Sequence, residues 1–310
     1  ILLLPIILSS GMSDARSEFQ LDDTLVLNGQ MQVLLFYFAK PFVKASIIIF
    51  IVNSVRTKFS FNSFFIILVI TVIYFLSEGG RAIIMDVMFV LFYVLYQSRH
   101  LISKAVKRNI VRALIIITLL PIFATIERGS DIFRSIYSYY CGSLQFFSQA
   151  LSIKADLFED YLFGLASFQG FIKPFTGVLQ IIGIDKPEIV EEASDFILNA
   201  QNTVYDIGPE MKLNYFYTTF GYTYKDAGVF GVMLIHLLFG CICRFVDNKE
   251  KVCRGSVRWL AIKATIFFCI LYTMSYFPFA MYLHTMTLIY IYLITTKVFS
   301  RKKMIIIKTQ

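Results

Sequence analysis

The sequence predicts an all-α protein, a polytopic bundle of transmembrane helices. Three observations carry this reading: an apolar composition, a series of apolar stretches of membrane-crossing length, and a charge that alternates between the loops separating them. Of the 310 residues, 57% are hydrophobic and 16% charged, against roughly 45–50% and about 25% in soluble domains. Mean hydropathy is +0.68. A soluble domain leaves much of its chain against water, and a composition this apolar excludes one. The 32 Phe and 18 Tyr exclude disorder, because disordered chains are poor in aromatics.

A bilayer core takes about 20 apolar residues per helix, with a range near 17–25. Residues 33–52 form the first candidate, interrupted by Lys40, Pro41 and Lys44. Residues 61–77 are uninterrupted, and 82–97 carry Asp86. Residues 110–126 follow, with Pro121 near the far end, and 227–245, 259–277 and 279–296 complete seven full spans. Ile1 to Leu8 reads as the tail of a further apolar helix. The expectation is one integral membrane domain over 1–310, truncated at its N-terminus, with that stub preceding the seven spans.

Charge tests the assignment independently. Loops 53–60, 97–112, 244–263 and the tail from Lys297 carry 18 Lys and Arg against two acids, Asp247 and Glu250. Segments 9–32, 77–81 and 127–226 carry nine Lys and Arg against 18 acids. Basic loops stay in the cytoplasm, which puts the second set outside. The net charge of +8 is then topogenic, and no nucleic-acid motif accompanies it.

The long outer loop 127–226 is expected to be functional rather than a mere connector. Ile132 to Phe147 and Tyr161 to Ile184 are apolar and aromatic. Pro187 to Gln201 reads as a helix, with Asp185 as its cap and Pro187 in its first turn. The loop is read as short helices lying on or dipping into the outer interface. Cys141 is alone on that side, and no Cys or His spacing suits a metal. Neither metal nor cofactor is expected.

Several charges do not follow from the membrane reading. Arg81 sits in the turn between two spans, and Arg128 and Arg134 open the large loop. Positive-inside disfavours arginine at these places, while a guanidinium grips phosphate bidentately and stays charged. The alternative is pairing with Glu78, Glu127, Asp131 or lipid phosphates. Lys40 and Lys44, one turn apart, are expected to snorkel toward the headgroups. Asp86 is expected to pair, with Lys40, Lys44 or an arginine. His284 lies about one turn below the outer interface, as a proton acceptor or as a satisfied interhelical histidine. His236 is expected to bond a neighbouring helix.

The run from Asn214 through Tyr217, Thr218, Thr219, Tyr224, Lys225, Asp226, Ala227 and Gly228 to Gly231 resembles a stretch of the bacterial oligosaccharide repeat-unit polymerases, the O-antigen and capsule polymerases. Gly79-Gly80-Arg81 resembles their small-loop turn. Tyr139-Tyr140-Cys141-Gly142-Ser143 resembles the stretch after their first loop arginines. Ala227 and Ser143 depart from the usual aromatic and proline. The resemblance implies a fold of the membrane glycosyltransferase C type and undecaprenyl-pyrophosphate-linked oligosaccharides as donor and acceptor. It further implies membrane lipids, a flippase and a chain-length regulator as partners. On that reading Arg81, Arg128 and Arg134 hold phosphates, and Asp226 and His284 are candidate bases, with Glu127 and Glu78 behind them. Asn214, Tyr217, Thr218, Tyr224 and Lys40 contact substrate. Rival readings are the ligase that transfers finished glycan and a lipid-linked oligosaccharide transporter. The transporter should carry charges deep in several spans and a repeat between its halves, and no repeat is seen.

Overall fold

The computed structural model describes residues 33–57, 60–78, 82–99, 142–153, 155–202, 204–208, 211–214, 217–253 and 255–298, with 104, 107–112, 114–115 and 119 besides. Most of the expected span 110–126 lies outside these residues, as do the N-terminal stub, Arg81, His100, Arg128 and Arg134. The described chain is overwhelmingly helical. In order run α1 (Lys40–Thr57), α2 (Phe61–Glu78), α3 (Ala82–Gln97), α4 (Ser143–Ile153), α5 (Leu165–Ile181), α6 (Glu188–Asn202), α7 (Thr218–Val252), α8 (Val257–Tyr272) and α9 (Tyr282–Val298).

Among the described residues, two helical segments are long and apolar enough to cross a membrane: Leu34–Arg56 and Thr218–Val252, while Ile84–Gln97 is apolar but shorter. Pro41 does not end the first of them. It has no N–H to give to the preceding turn, and the chain absorbs the loss in a π-helical turn, Leu34–Ala39, where Lys40 N–H donates to Leu35 O. The expected break is a local change of pitch.

Helix α1 is the hub of the bundle and packs on α3, α8 and α9. Its buried Ile47, Ile48, Ile51, Val52 and Val55 recur at helical spacing and meet Ile84, Val87, Leu91 and Val94 of α3, with Leu260, Ala264 and Phe268 of α8. Other faces turn large apolar side chains outward. Phe65, Ile66, Val69 and Ile73 of α2 are exposed, as are Val229, Phe230, Met233 and Leu237 of α7.

At the end of the bundle where α7 gives way to α8, Lys263 bonds Asp247 at 2.6 Å and Glu250 at 3.2 Å. Lys251 takes the other Asp247 oxygen at 2.5 Å. The two acids that stood out in the basic loops are thus clamps between α7 and α8.

Helices α5 and α6 form a second layer against α7, α9 and the turn before α9. Its core is aromatic: Phe158, Phe196, Tyr217, Tyr222, Phe277 and Phe279 are buried together. Helix α6 confirms the expected segment, though Pro187 precedes it, accepting from Val190 and Glu191 N–H, rather than lying in its first turn. One departure from an all-helical loop is a small antiparallel hairpin, β1 (Val204–Gly208) with β2 (Met211–Asn214), pairing Val204 with Asn214 and irregular between Asp206 and Gly208.

Gly170 sets the closest approach between the layers. A Cβ there would lie 2.6 Å from Phe279 O and 2.7 Å from Met281 O, and Thr285 Oγ1–H donates to Gly170 O at 2.7 Å. Backbone cannot rotate aside as a side-chain tip can. Gly170→Ala is therefore expected to cost ~1–3 kcal/mol by overpacking, read as a lower melting temperature of the purified protein. An unchanged melting temperature would mean that α5 and α9 do not meet here.

Candidate functional site

Helix α7 is two limbs. Ala227 (φ −163°, ψ 37°) and Gly228 (φ 60°, ψ −146°) are not helical, and Gly228 takes the left-handed side of the map, which other residues rarely enter. The limbs 218–226 and 229–252 fold back on one another. Thr219 Oγ1 lies 3.2 Å from His236 Nε2, whereas seventeen residues of straight helix would separate them by about 25 Å. Gly231 fits because it has no side chain, for a Cβ would meet Thr223 O at 2.3 Å. The second limb, residues 229–252, remains about 36 Å long at 1.5 Å per residue.

Asp226 closes the hairpin from outside. Its Oδ1 accepts from Ala166 N–H and its Oδ2 from Ser167 N–H, both at 2.9 Å. These are among the first amides of α5, which have no partner inside their own helix. A carboxylate is the favoured group at that end of a helix dipole. Leu162 and Phe163 N–H donate to Lys225 O and Asp226 O, and buried Lys225 reaches Glu192 of α6 at 3.6 Å. Both Asp226 oxygens are thus committed to capping α5. The structure gives this residue a structural role where the resemblance suggested a base.

The first limb begins against the turn between α8 and α9. Thr218 N–H donates to Ser275 O and Thr219 N–H to Thr273 O, each at 3.0 Å. Thr218 has φ 59°, unfavourable for a β-branched residue and worth about 1–3 kcal/mol of strain. It borders a mostly apolar cavity of about 260 Å³, lined also by Thr219, Phe220, His236 and Met274. His236 donates from Nδ1 to Val232 O of its own limb at 2.7 Å, so among the described residues its hydrogen-bond partners lie within α7 rather than on a neighbouring helix.

Tyr276, in that turn, opens a row of polar groups inside the bundle. Tyr276 Oη lies 2.9 Å from His284 Nε2. His284 Nδ1 lies 3.4 Å from Lys44 Nζ, and Lys44 is ion-paired with Asp86. Lys44, Asp86 and His284 are 1%, 3% and 3% exposed. Asp86 Oδ1 is buried and has no hydrogen-bond partner among the described residues. Phe268, Tyr272 and Tyr276 pack around the imidazole with centroids at 5.5–5.9 Å, and the Lys44 ammonium sits 4.9 Å above the Phe268 ring. Lys44 therefore does not snorkel. Asp86 pairs as expected, and His284 has a partner on each nitrogen.

The remaining candidates among the described residues fall apart from this row. Lys40 places its ammonium 3.7 Å over the Phe36 ring. The Tyr217 ring is buried between Phe158 and Phe196, and Tyr224 packs on Phe147 and Phe158. Both rings belong to the aromatic core, not to an open platform for sugars. Asn214 ends β2. Sequence reasoning missed Tyr276, which looked like any interfacial tyrosine. It paired Asp86 with Lys40, Lys44 or an arginine but left His284 apart from them, although polar groups inside apolar spans were the signal that joins them. The chain matches no family model, no curated protein and no solved structure.

The cap can be tested by itself. Asp226→Ala leaves two buried amides without acceptors, at a cost of ~1–3 kcal/mol, while Asp226→Asn keeps one acceptor and should cost less. Melting temperatures are expected to fall in the order wild type, Asn, Ala. Equal values for all three would show that the carboxylate does not hold α5.

Proposed function

We propose that the protein polymerises undecaprenyl-pyrophosphate-linked oligosaccharide repeat units at the outer face of the bacterial inner membrane. The chain spans the membrane several times, with 127–226 outside. An acceptor-sugar hydroxyl attacks the anomeric carbon of the growing glycan, and lipid pyrophosphate leaves. Arg81, Arg128 and Arg134 hold the phosphates and stabilise charge on the leaving group. Positioning two large substrates together supplies much of the remaining acceleration.

One observation carries the reading. The stretch that resembles the polymerases is the hinge of the α7 hairpin, and it seats its first limb beside the turn bearing Tyr276. The two membrane-length helices among the described residues support it, together with apolar faces turned outward on α2 and α7. Such faces cost nothing against acyl chains and about 25 cal/mol per Å² against water.

A second reading, a transporter of the same lipid-linked glycans, is favoured by the broken helix and the buried Lys44–Asp86 pair, both familiar in carriers. The two readings differ in what accumulates. In a deletion strain carrying Arg81→Ala, Arg128→Ala or Arg134→Ala, polymer formation is expected to drop by a factor on the order of 10²–10³, leaving single repeats on the outer leaflet. Single repeats retained on the inner leaflet would favour the transporter. Long chains made but not delivered would favour a ligase. Full-length polymer from all three variants removes the proposal.

A further inference from the structure

The Asp86–Lys44–His284–Tyr276 row is not explained by packing. Four elements contribute to it: α3, α1, α9 and the turn after α8. A buried ion pair is commonly no more stabilising than apolar residues of the same volume. A continuous line of exchangeable protons that ends in the turn holding Thr218 and Thr219, at the start of the first α7 limb, calls for a use.

Resting on the reading above, we infer that this row is a proton relay, which takes up the proton of the acceptor hydroxyl through Tyr276 and stores it on the buried Lys44–Asp86 pair. Donors and acceptors fix the direction of the line. An ammonium has hydrogens to give and no lone pair. With Lys44 charged, it donates to Asp86 and to His284 Nδ1, so Nε2 carries the ring hydrogen and donates to Tyr276 Oη. With one proton fewer, the line reverses. Nδ1–H donates to the Lys44 amine, and the Tyr276 hydroxyl donates to Nε2. The distances of 3.4 Å and 2.9 Å serve both forms. Cys269 of α8 lies near enough to feel both Lys44 and Asp86, and Tyr272 covers the imidazole. Lys40 is one turn away on α1.

The reversed form receives the proton. The acceptor O–H bond breaks as its proton passes to Tyr276 Oη. The tyrosine proton passes to His284 Nε2, and the Nδ1 proton to Lys44. The acceptor oxygen forms the new bond to the anomeric carbon, and the old bond to pyrophosphate breaks, with pyrophosphate keeping the electron pair. The row now holds one proton more, which it returns to water before the next addition. Tyr276 is the catalytic residue in this scheme. His284, Lys44 and Asp86 act through it.

Two measurements separate the relay from the reading it rests on. The first is nitrogen NMR of ¹⁵N-histidine-labelled protein, with His284 assigned by its loss in His284→Gln. Wild type is expected to show the Nε2–H tautomer near neutral pH. Lys44→Met/Asp86→Leu removes both charges together, so that neither is left buried alone, and it should shift His284 toward Nδ1–H. An unchanged tautomer in the double variant overturns the relay, whatever the protein's activity. The second is the glycan ladder in a deletion strain complemented by wild type. Tyr276→Phe and the double variant should lower chain elongation at least tenfold, and raising the external pH should partly restore Tyr276→Phe. A wild-type ladder from both variants, with unchanged pH dependence, overturns the relay and leaves the polymerase reading standing. No ladder from wild type overturns the polymerase reading and with it the acceptor as proton source.

Discussion

The layer built from α5, α6 and the first limb of α7 depends on one carboxylate. Asp226 sits at the last turn before α7 reverses, and it holds the first two helical amides it reaches on α5. Those amides must find acceptors or leave buried polar groups unpaired, which is costly in an apolar interior. The bond therefore fixes three things together: where α5 starts, where α7 turns, and where the first limb of α7 lies. Gly228 makes the reversal sterically allowed, and Gly231 lets the two limbs touch. The next consequence is the contact between Thr218, Thr219 and the α8–α9 turn, which fixes the neighbourhood of Tyr276.

The bundle around α1 is organised by a second constraint, buried charge. In their ion-paired form Lys44 and Asp86 neutralise each other among apolar side chains. Stability alone does not call for such a pair, since apolar residues would fill the space as well. Through His284 the pair is connected to the end of the bundle that Asp226 organises. The two constraints thus meet at Tyr276, and a cap on one helix and an ion pair among others become parts of one site.

Much of the helical framework was legible in the sequence. Hydropathy over twenty residues tolerates local irregularity, so the segments at 33–52, 61–77, 82–97, 259–277 and 279–296 all appear as helices within a few residues. The reversal of α7 was not legible. Gly228 and Gly231 read equally well as small residues at a straight helix interface, and only contacts sixty positions away, at Ala166 and Ser167, distinguish a turn from a crossing. Lys44 was expected at the headgroups because a long side chain usually escapes the membrane. The partner that keeps it inside lies on another helix. Tyr217 and Tyr224 suited sugar contacts by type, yet aromatic rings serve a core as readily, and their neighbours Phe158 and Phe196 decided the matter. The little β1–β2 hairpin falls where the sequence suggested only short helices.

The fold-back of α7 is the claim that everything around the α8–α9 turn requires, and distance measurement tests it directly. Spin labels at Phe220→Cys and Phe245→Cys, in a background without native cysteines, mark one position on each limb. A straight helix would separate the two backbones by about 38 Å. The hairpin sets position 220 beside position 236, leaving about 14 Å along the second limb plus roughly one helix diameter across. A pulsed-resonance distance distribution centred near 15–20 Å is expected from that geometry, with allowance for the label arms. A distribution centred near 38 Å would contradict the account.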